Sequence, residues 1–270
     1  HFYYLLDYNY HSKYDNYSLK SNSVWSLYED KESRIWIGYY NKGVGVFDKP
    51  NTKFNTVESL LNNDNSLQTS SVTAVAKDKL GNLLISTEGG GIDVFDPEKK
   101  SFVHVNSINQ SYYAGLTAND IQTIFIDSKQ NIWLGSWNQG IFFLKFGTKK
   151  FVNYNTSNTK GLLSNRIFSF TEDSKGRIWI GSFVKGLHYF DSVQNKFFHC
   201  NFENVFKDDA SLAYVRKVFV DSDDVLWVGT ILGLYQVKIN DGGSYTVISM
   251  KNQMIKNFKK HNSIQTILSI

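Results

Sequence analysis

Apolar and polar positions change places along this chain in short runs, each no longer than a strand. Ile178-Trp-Ile180 is β-branched and aromatic, follows the polar stretch Asp173-Ser-Lys-Gly176, and ends on Gly181. Ile167–Thr171 precedes it, and Leu187–Phe190 resumes after Gly186 and closes on Asp191. Aspartate, serine and glycine at the junctions suit tight turns between antiparallel strands. No helical 3.6-residue periodicity accompanies the pattern.

The same passage recurs. Asp30-Lys-Glu-Ser-Arg-Ile-Trp-Ile-Gly38, Asp78-Lys-Leu-Gly-Asn-Leu-Leu-Ile-Ser86, Asp127-Ser-Lys-Gln-Asn-Ile-Trp-Leu-Gly135 and Asp221-Ser-Asp-Asp-Val-Leu-Trp-Val-Gly229 align with it. The turn aspartates stand 48, 49, 46 and 48 residues apart. That period, with several short strands per copy, belongs to propeller blades and is too long for a leucine-rich solenoid. Each copy holds four strands, A to D. Blades are expected at about 24–57, 72–105, 121–154, 167–200 and 215–248, with a strand D remnant at 2–10 and a strand A remnant at 264–270. The expected fold is all-β: one β-propeller region over 1–270, with five complete four-stranded antiparallel blades and partial blades at both ends.

Strands A and B carry apolar residues on both sides, so each sheet needs cover on both faces, which radial packing supplies. The strand B tryptophans (36, 133, 179 and 227, with Leu84 in the second copy) are expected to fill the wedges between blades. The repeated aspartate is expected to cap the A–B turn by accepting backbone N–H bonds two residues on.

Composition adds limits. A net charge of +4 over 270 residues, with both signs interspersed, lacks the concentrated basic stripe of a nucleic-acid binder. The single Cys200 excludes an internal disulfide framework and reads as a buried thiol. The six histidines show no metal-ligand spacing, and His188 reads as a half-exposed strand residue. No phosphate loop or nucleophile elbow is present, so neither a cofactor nor a metal is expected.

Variation between copies points to function. The A–B turns are nearly uniform, whereas the B–C connections differ: Tyr39-Tyr40-Asn41-Lys42, Glu88-Gly89, Trp137-Asn138-Gln139, Phe183-Val184-Lys185 and Ile231-Leu232. Aromatic rings beside amides and charges suit sugars, whose C–H faces stack on rings while their hydroxyls meet planar polar groups. Candidate ligand-binding residues are therefore Tyr39, Tyr40, Asn41, Glu88, Trp137, Asn138, Phe183 and Lys185. The second strand A position (Trp25, Thr73, Gln122, Phe168, Arg216) varies near the same end and is a weaker candidate, since inter-blade packing would explain its aromatics equally well.

The motif Asn165-x-Ile167-x-x-Phe170-x-Glu172-Asp173-x-x-Gly176-x-Ile178-Trp179-Ile180-Gly181, followed by Gly186-Leu187-x-x-Phe190-Asp191, resembles the two-component-regulator propeller repeat, and the resemblance extends over all five copies. Copies two (Leu84, Ser86) and five (Asp224 for the turn glycine) depart from it, so looser blades are expected there. The resemblance implies the extracytoplasmic sensor region of a hybrid histidine kinase: periplasmic, non-catalytic, binding an oligosaccharide or other small ligand. It also implies that the chain is cut from a seven-bladed propeller, and a homodimer in the parent receptor, which meets the membrane only through segments this chain lacks. The rival readings are a propeller lyase or glycosidase with acids such as Glu88 in the mouth, and a protein-interaction scaffold.

Overall fold

The computed structural model describes residues 19–48, 53–200, 214–231, 233–239 and 245–250; the expected strand remnants at 2–10 and 264–270 lie outside them. Among the described residues twenty strands follow in order: β1 (Val24–Glu29), β2 (Ile35–Tyr39), β3 (Val44–Asp48), β4 (Lys53–Val57), β5 (Val72–Lys77), β6 (Leu83–Thr87), β7 (Gly91–Asp96), β8 (Ser101–Val105), β9 (Ile121–Ile126) and β10 (Ile132–Ser136). The remainder are β11 (Ile141–Leu144), β12 (Val152–Tyr154), β13 (Ile167–Glu172), β14 (Arg177–Ser182), β15 (Leu187–Asp191), β16 (Lys196–His199), β17 (Val215–Val220), β18 (Leu226–Thr230), β19 (Gly233–Ile239) and β20 (Tyr245–Ser249). They form five four-stranded meanders, β1–β4, β5–β8, β9–β12, β13–β16 and β17–β20, in which neighbours in sequence are neighbours in the sheet. Among the described residues, one compact unit comprises those up to Ile126 with Leu144–Val152, and a second comprises Asp127–Phe143 with those from Asn153 onward.

In the first unit, alternation along β2 divides its side chains between two cores. Ile35, Ile37 and Tyr39 pack with Leu19, Val24, Leu27 and Phe47. Trp36 points the other way and joins Val44 to Leu67, Val72, Leu83, Ile85 and Phe95 of the next blade. The tryptophan is thus a wedge between blades, as its recurrence on strand B implies. In the second unit Trp179, Leu187 and Cys200 meet Val215, Val218, Leu226, Val228, Tyr235 and Val237 in the same manner. Burial there pushes the Cys200 thiol up to about 12, which leaves it protonated and inert. A Cβ on Gly181 would stand 2.8 Å from Val215 Cγ1, so glycine is what lets β17 approach β14 so closely. Leu19, Leu67, Leu116 and Leu162, each five residues before a strand A, are all buried.

The A–B turns hold more than the backbone cap. Asp173 Oδ1 accepts from the N–H groups of Lys175 (3.0 Å) and Arg177 (2.9 Å), while Oδ2 accepts from Arg177 Nε (2.6 Å) and from the Trp179 indole (2.8 Å). The indole bond recurs from Trp36 to Asp30 (2.9 Å), Trp133 to Asp127 (2.9 Å) and Trp227 to Asp221 (2.7 Å). Each such aspartate ties a turn to the inter-blade wedge, and the indole N–H is satisfied where water is excluded. Burial pushes the Asp30 carboxyl up, but the Trp36 indole and Arg34 outweigh it and hold the group below its ordinary value. In the second blade, where Leu84 replaces tryptophan, Asp78 Oδ2 accepts from Asn82 Nδ2 instead (2.9 Å).

The fourth turn residue is left-handed throughout: Ser33 (φ 59°), Gly81 (φ 91°), Gln130 (φ 66°), Gly176 (φ 72°) and Asp224 (φ 60°). Glycine is the least strained there, yet three blades do without it. Asp224, which stands where the fourth copy has the turn glycine, makes contacts of its own. Its carboxylate reaches the preceding A–B turn and accepts from Ser174 N (2.8 Å) and Ser174 Oγ (2.6 Å). Glu172 holds Ser128 in the same way, at 2.6 and 2.7 Å. Strain at one backbone position is offset by two charge-assisted hydrogen bonds between turns.

Candidate functional site

At the opposite end of each sheet, the B–C connection and the start of strand A lie side by side. A β-bulge interrupts the A–B register at the second strand A position in four blades, between Val24 and Ser26, Val72 and Ala74, Ile167 and Ser169, and Val215 and Lys217. A bulge re-aims the side chain it carries. Trp25, Thr73, Phe168 and Arg216 occupy these positions; Thr73 is buried, its hydroxyl bonded to Ile121 O (2.6 Å), whereas Trp25 is exposed and Phe168 and Arg216 are half-buried.

In the second unit the bulge and loop residues assemble into one aromatic surface. The Trp137 ring lies 5.7 Å from Phe168, edge to face, and 6.3 Å from Phe183; Phe168 and Phe183 are 5.7 Å apart. Tyr214 adds an edge contact to Phe183 at 4.9 Å. The Arg166 guanidinium sits 5.4 Å from the Trp137 ring and 5.8 Å from Phe183, and that of Arg216 sits 5.9 Å from Phe168. Trp137 remains 40% exposed, so part of its ring is open to a ligand. Asn138 and Lys185 are exposed on the same two loops.

Buried hydroxyls hold these loops. Ser136 Oγ donates to Gly140 O (2.9 Å), and Ser182 Oγ reaches Val184 O and Gly186 O (2.7 and 2.8 Å). Gly140 N donates to Asn165 O of the following blade (2.9 Å), and a His199 ring nitrogen meets Lys185 O (2.8 Å). Lys185 itself is left-handed (φ 71°). The aromatic surface therefore stands on pinned backbone.

The first unit carries a smaller counterpart. Trp25 and Tyr40 stack at 4.8 Å with their planes 20° apart, and both are about two-fifths exposed. Asn41 follows, exposed and left-handed (φ 59°). Tyr39 is corrected as a candidate: it is fully buried, on the Ile35 and Ile37 side of β2, and desolvation pushes its hydroxyl up to about 12. Glu88 is exposed, accepts from Ser71 Oγ (3.2 Å), and takes the Thr69 hydroxyl on its carbonyl (3.1 Å).

His188 is also corrected. It is fully buried, and its Nε2 accepts the Leu163 N–H (3.2 Å). Desolvation, then the neighbouring His199, lowers it to about 3, so it is neutral in the folded protein. The equivalent residue of the second blade is Asp93, whose carboxylate accepts from Gln68 N (3.0 Å) and Gln68 Nε2 (3.0 Å) and pairs with His104 Nδ1 (2.7 Å). That pairing raises His104 above the ordinary histidine range. Among the described residues no group of three or more histidine, cysteine or acidic side chains could hold a metal ion.

Sequence reasoning missed Arg166 and Tyr214, which stand immediately before β13 and β17. Their signal was positional: each precedes a bulged strand A, next to the variable loop.

A family model described as two component regulator propeller matches residues 18–41, 115–138 and 161–183. The chain carries two-component regulator propeller repeats. Each match runs from the D–A connection through strands A and B into the B–C loop, and the matched copies are the first, third and fourth; the two copies that depart from the motif are not among them. No curated protein matches the chain. Among solved structures, the extracellular domain of the hybrid two-component system BT3049 from B. thetaiotaomicron is similar at 25% identity and a TM-score of 0.71, covering 93% of this chain and 31% of that one. The extracellular domain of the hybrid two-component system BT4673 from B. thetaiotaomicron follows at 22% identity and 0.66, covering 84% and 31%. The chain thus spans about a third of the length of these two structures. Virginiamycin B lyase from Staphylococcus aureus shares the fold at 13% identity and a TM-score of 0.62, covering 84% of this chain and 70% of its own.

Proposed function

We propose that this chain is a ligand-sensing, non-catalytic part of the sensor region of a hybrid two-component protein, exposed to the periplasm, and that its ligand is an oligosaccharide. The observation that carries the reading is the Trp137–Phe168–Phe183–Tyr214 surface: rings partly open to solvent, on loops whose backbone is pinned from beneath. A sugar ring laid on Trp137 would gain about 1 kcal/mol from stacking beyond its area burial, and the Asn138 amide would orient its hydroxyls. Trp25 and Tyr40 offer a second platform of the same kind.

In this reading the chain is part of a seven-bladed propeller in a homodimeric receptor, which meets the membrane through other segments of the parent. Signalling requires the sugar to favour one arrangement of the receptor pair, because equal affinity for both shifts nothing. The lyase reading is disfavoured by Glu88, whose carboxylate is engaged by Ser71 on the same loop cluster. The test is calorimetric titration of the chain with a panel of plant and host oligosaccharides, alongside Trp137→Ala and Tyr40→Ala. A sugar that binds wild type and loses about tenfold or more in one of the variants supports the reading. Equal affinity for wild type and both variants places recognition elsewhere.

A further inference from the structure

Two guanidinium groups border the aromatic surface, and among the described residues no carboxylate lies within ion-pair distance of either. Arg166 is exposed, but its backbone is fixed: its N–H bonds to Ser164 Oγ (3.2 Å) and its carbonyl accepts from Phe183 N (3.0 Å). Arg216 springs from the β17 bulge, and its Nε is buried without an acceptor. Such a vacancy is unusual for a buried charged donor. The chain's turn arginines are treated differently, with Arg34 paired to Asp30 at 2.7 Å and Arg177 to Asp173 at 2.6 Å. The two loops that carry the surface, Trp137-Asn138-Gln139 and Phe183-Val184-Lys185, contain no acid and add a lysine.

We propose that the ligand of this site is an acidic sugar, an oligosaccharide bearing a carboxylate or a sulfate ester. Its ring lies on Trp137, and its oxyanion is bound by Arg166 and Arg216. The proposal rests on the oligosaccharide reading above and narrows it. A guanidinium fork matches either oxyanion with two parallel N–H donors, keeps its charge at every physiological pH, and lies flat on an aromatic face. The rings hold the guanidinium groups in place before the ligand arrives.

Paired probes separate the narrow proposal from the broad one. The full chain is titrated calorimetrically with oligogalacturonate and its carboxyl-reduced counterpart, and with sulfated and desulfated chondroitin disaccharides. The expected result is that an acidic member of a pair binds at least tenfold more tightly than its neutral partner. Arg166→Gln and Arg216→Lys should each weaken the acidic sugar about tenfold or more, the size of one charge-assisted hydrogen bond, and change the neutral one less than threefold. Trp137→Ala should weaken both. Which pair shows the difference tells carboxylate from sulfate. Arg166→Gln alters an exposed side chain, so it reports on binding even if Arg216→Lys disturbs folding. Neutral sugars binding as tightly as acidic ones, with only Trp137→Ala harmful, would overturn the acidic-sugar proposal and leave the oligosaccharide reading intact. Binding unaffected by Trp137→Ala but weakened in Tyr40→Ala would overturn the acidic-sugar proposal and leave the oligosaccharide reading intact; acidic and neutral sugars alike failing to bind, or binding unaffected by either variant, would overturn both.

Discussion

The two ends of the fourth blade are built on opposite rules. At the turn end, Asp173 gathers two backbone N–H groups, the Arg177 side chain and the Trp179 indole, and the same clamp appears at Asp30, Asp127 and Asp221 with small changes. At the loop end, Phe183 and Phe168 meet Trp137 and Tyr214 in an arrangement no other described blade repeats. What recurs bonds inward to the wedge between blades; what varies is left partly open. The difference assigns stability to the repeated end and recognition to the variable end.

The largest test of that division is Trp179→Ala. The side chain is 1% exposed and centres the wedge between β14 and β17, so its loss should cost about 3–5 kcal/mol, read from the denaturant midpoint. An unchanged midpoint would break the assignment of stability to this end. Asp173→Ala should cost about 2–3 kcal/mol, because it leaves a buried indole N–H without an acceptor. Asp78→Ala, where the partner is the Asn82 amide and no indole is involved, should cost about 1 kcal/mol. Equal losses at the two sites would show that the indole bond adds nothing to the cap.

A smaller contrast lies at the second strand C position, where Asp93 and His188 do the same structural work by different chemistry. Each accepts the N–H of the residue after a buried leucine, Gln68 in one blade and Leu163 in the other. The pH responses of His188 and of His104, the partner of Asp93, should have opposite sign. The unfolded chain protonates His188 near 6.5 and the folded one near 3, so its contribution is full above pH 6.5 and is lost as pH falls toward 3. His104 is raised by its bond to Asp93, so its contribution is full below 6.5 and is lost as pH rises through the folded value. His188→Phe, which copies Phe142 of the third blade, should therefore move the acid unfolding midpoint to lower pH. His104→Gln should flatten the loss of stability on the neutral-to-alkaline side. Acid and alkaline profiles that match wild type in both variants would refute these charge states.

The repeat made the strands legible, because turn aspartate, strand B tryptophan and closing glycine recur at a constant spacing. The indole bond was hidden: an aspartate six residues before a tryptophan has no signature until the turn brings them together. The bulges were hidden too, since one extra residue shifts the alternation by one place, and a strand with apolar residues on both sides does not show the shift. Tyr39 was readable in retrospect, because counting by two from Ile35 and Ile37 places it inward and Tyr40 at the edge. His188 was not, because β15 is covered on both faces and alternation says nothing about exposure there. Arg166 and Tyr214 fall in variable connections, and only the fold shows that these meet the B–C loops.

The chain's six tryptophans offer one direct measurement of the central claim. Four indoles, those of Trp36, Trp133, Trp179 and Trp227, are bonded to turn aspartates, while Trp25 and Trp137 are exposed at the loop end. Indole N–H resonances followed by nuclear magnetic resonance during titration with a binding sugar should show Trp137 shifting, with or without Trp25. The four clamped signals should stay in place. Movement of the clamped indoles while Trp137 remains still would contradict the division of the blade into a stable end and a recognising end.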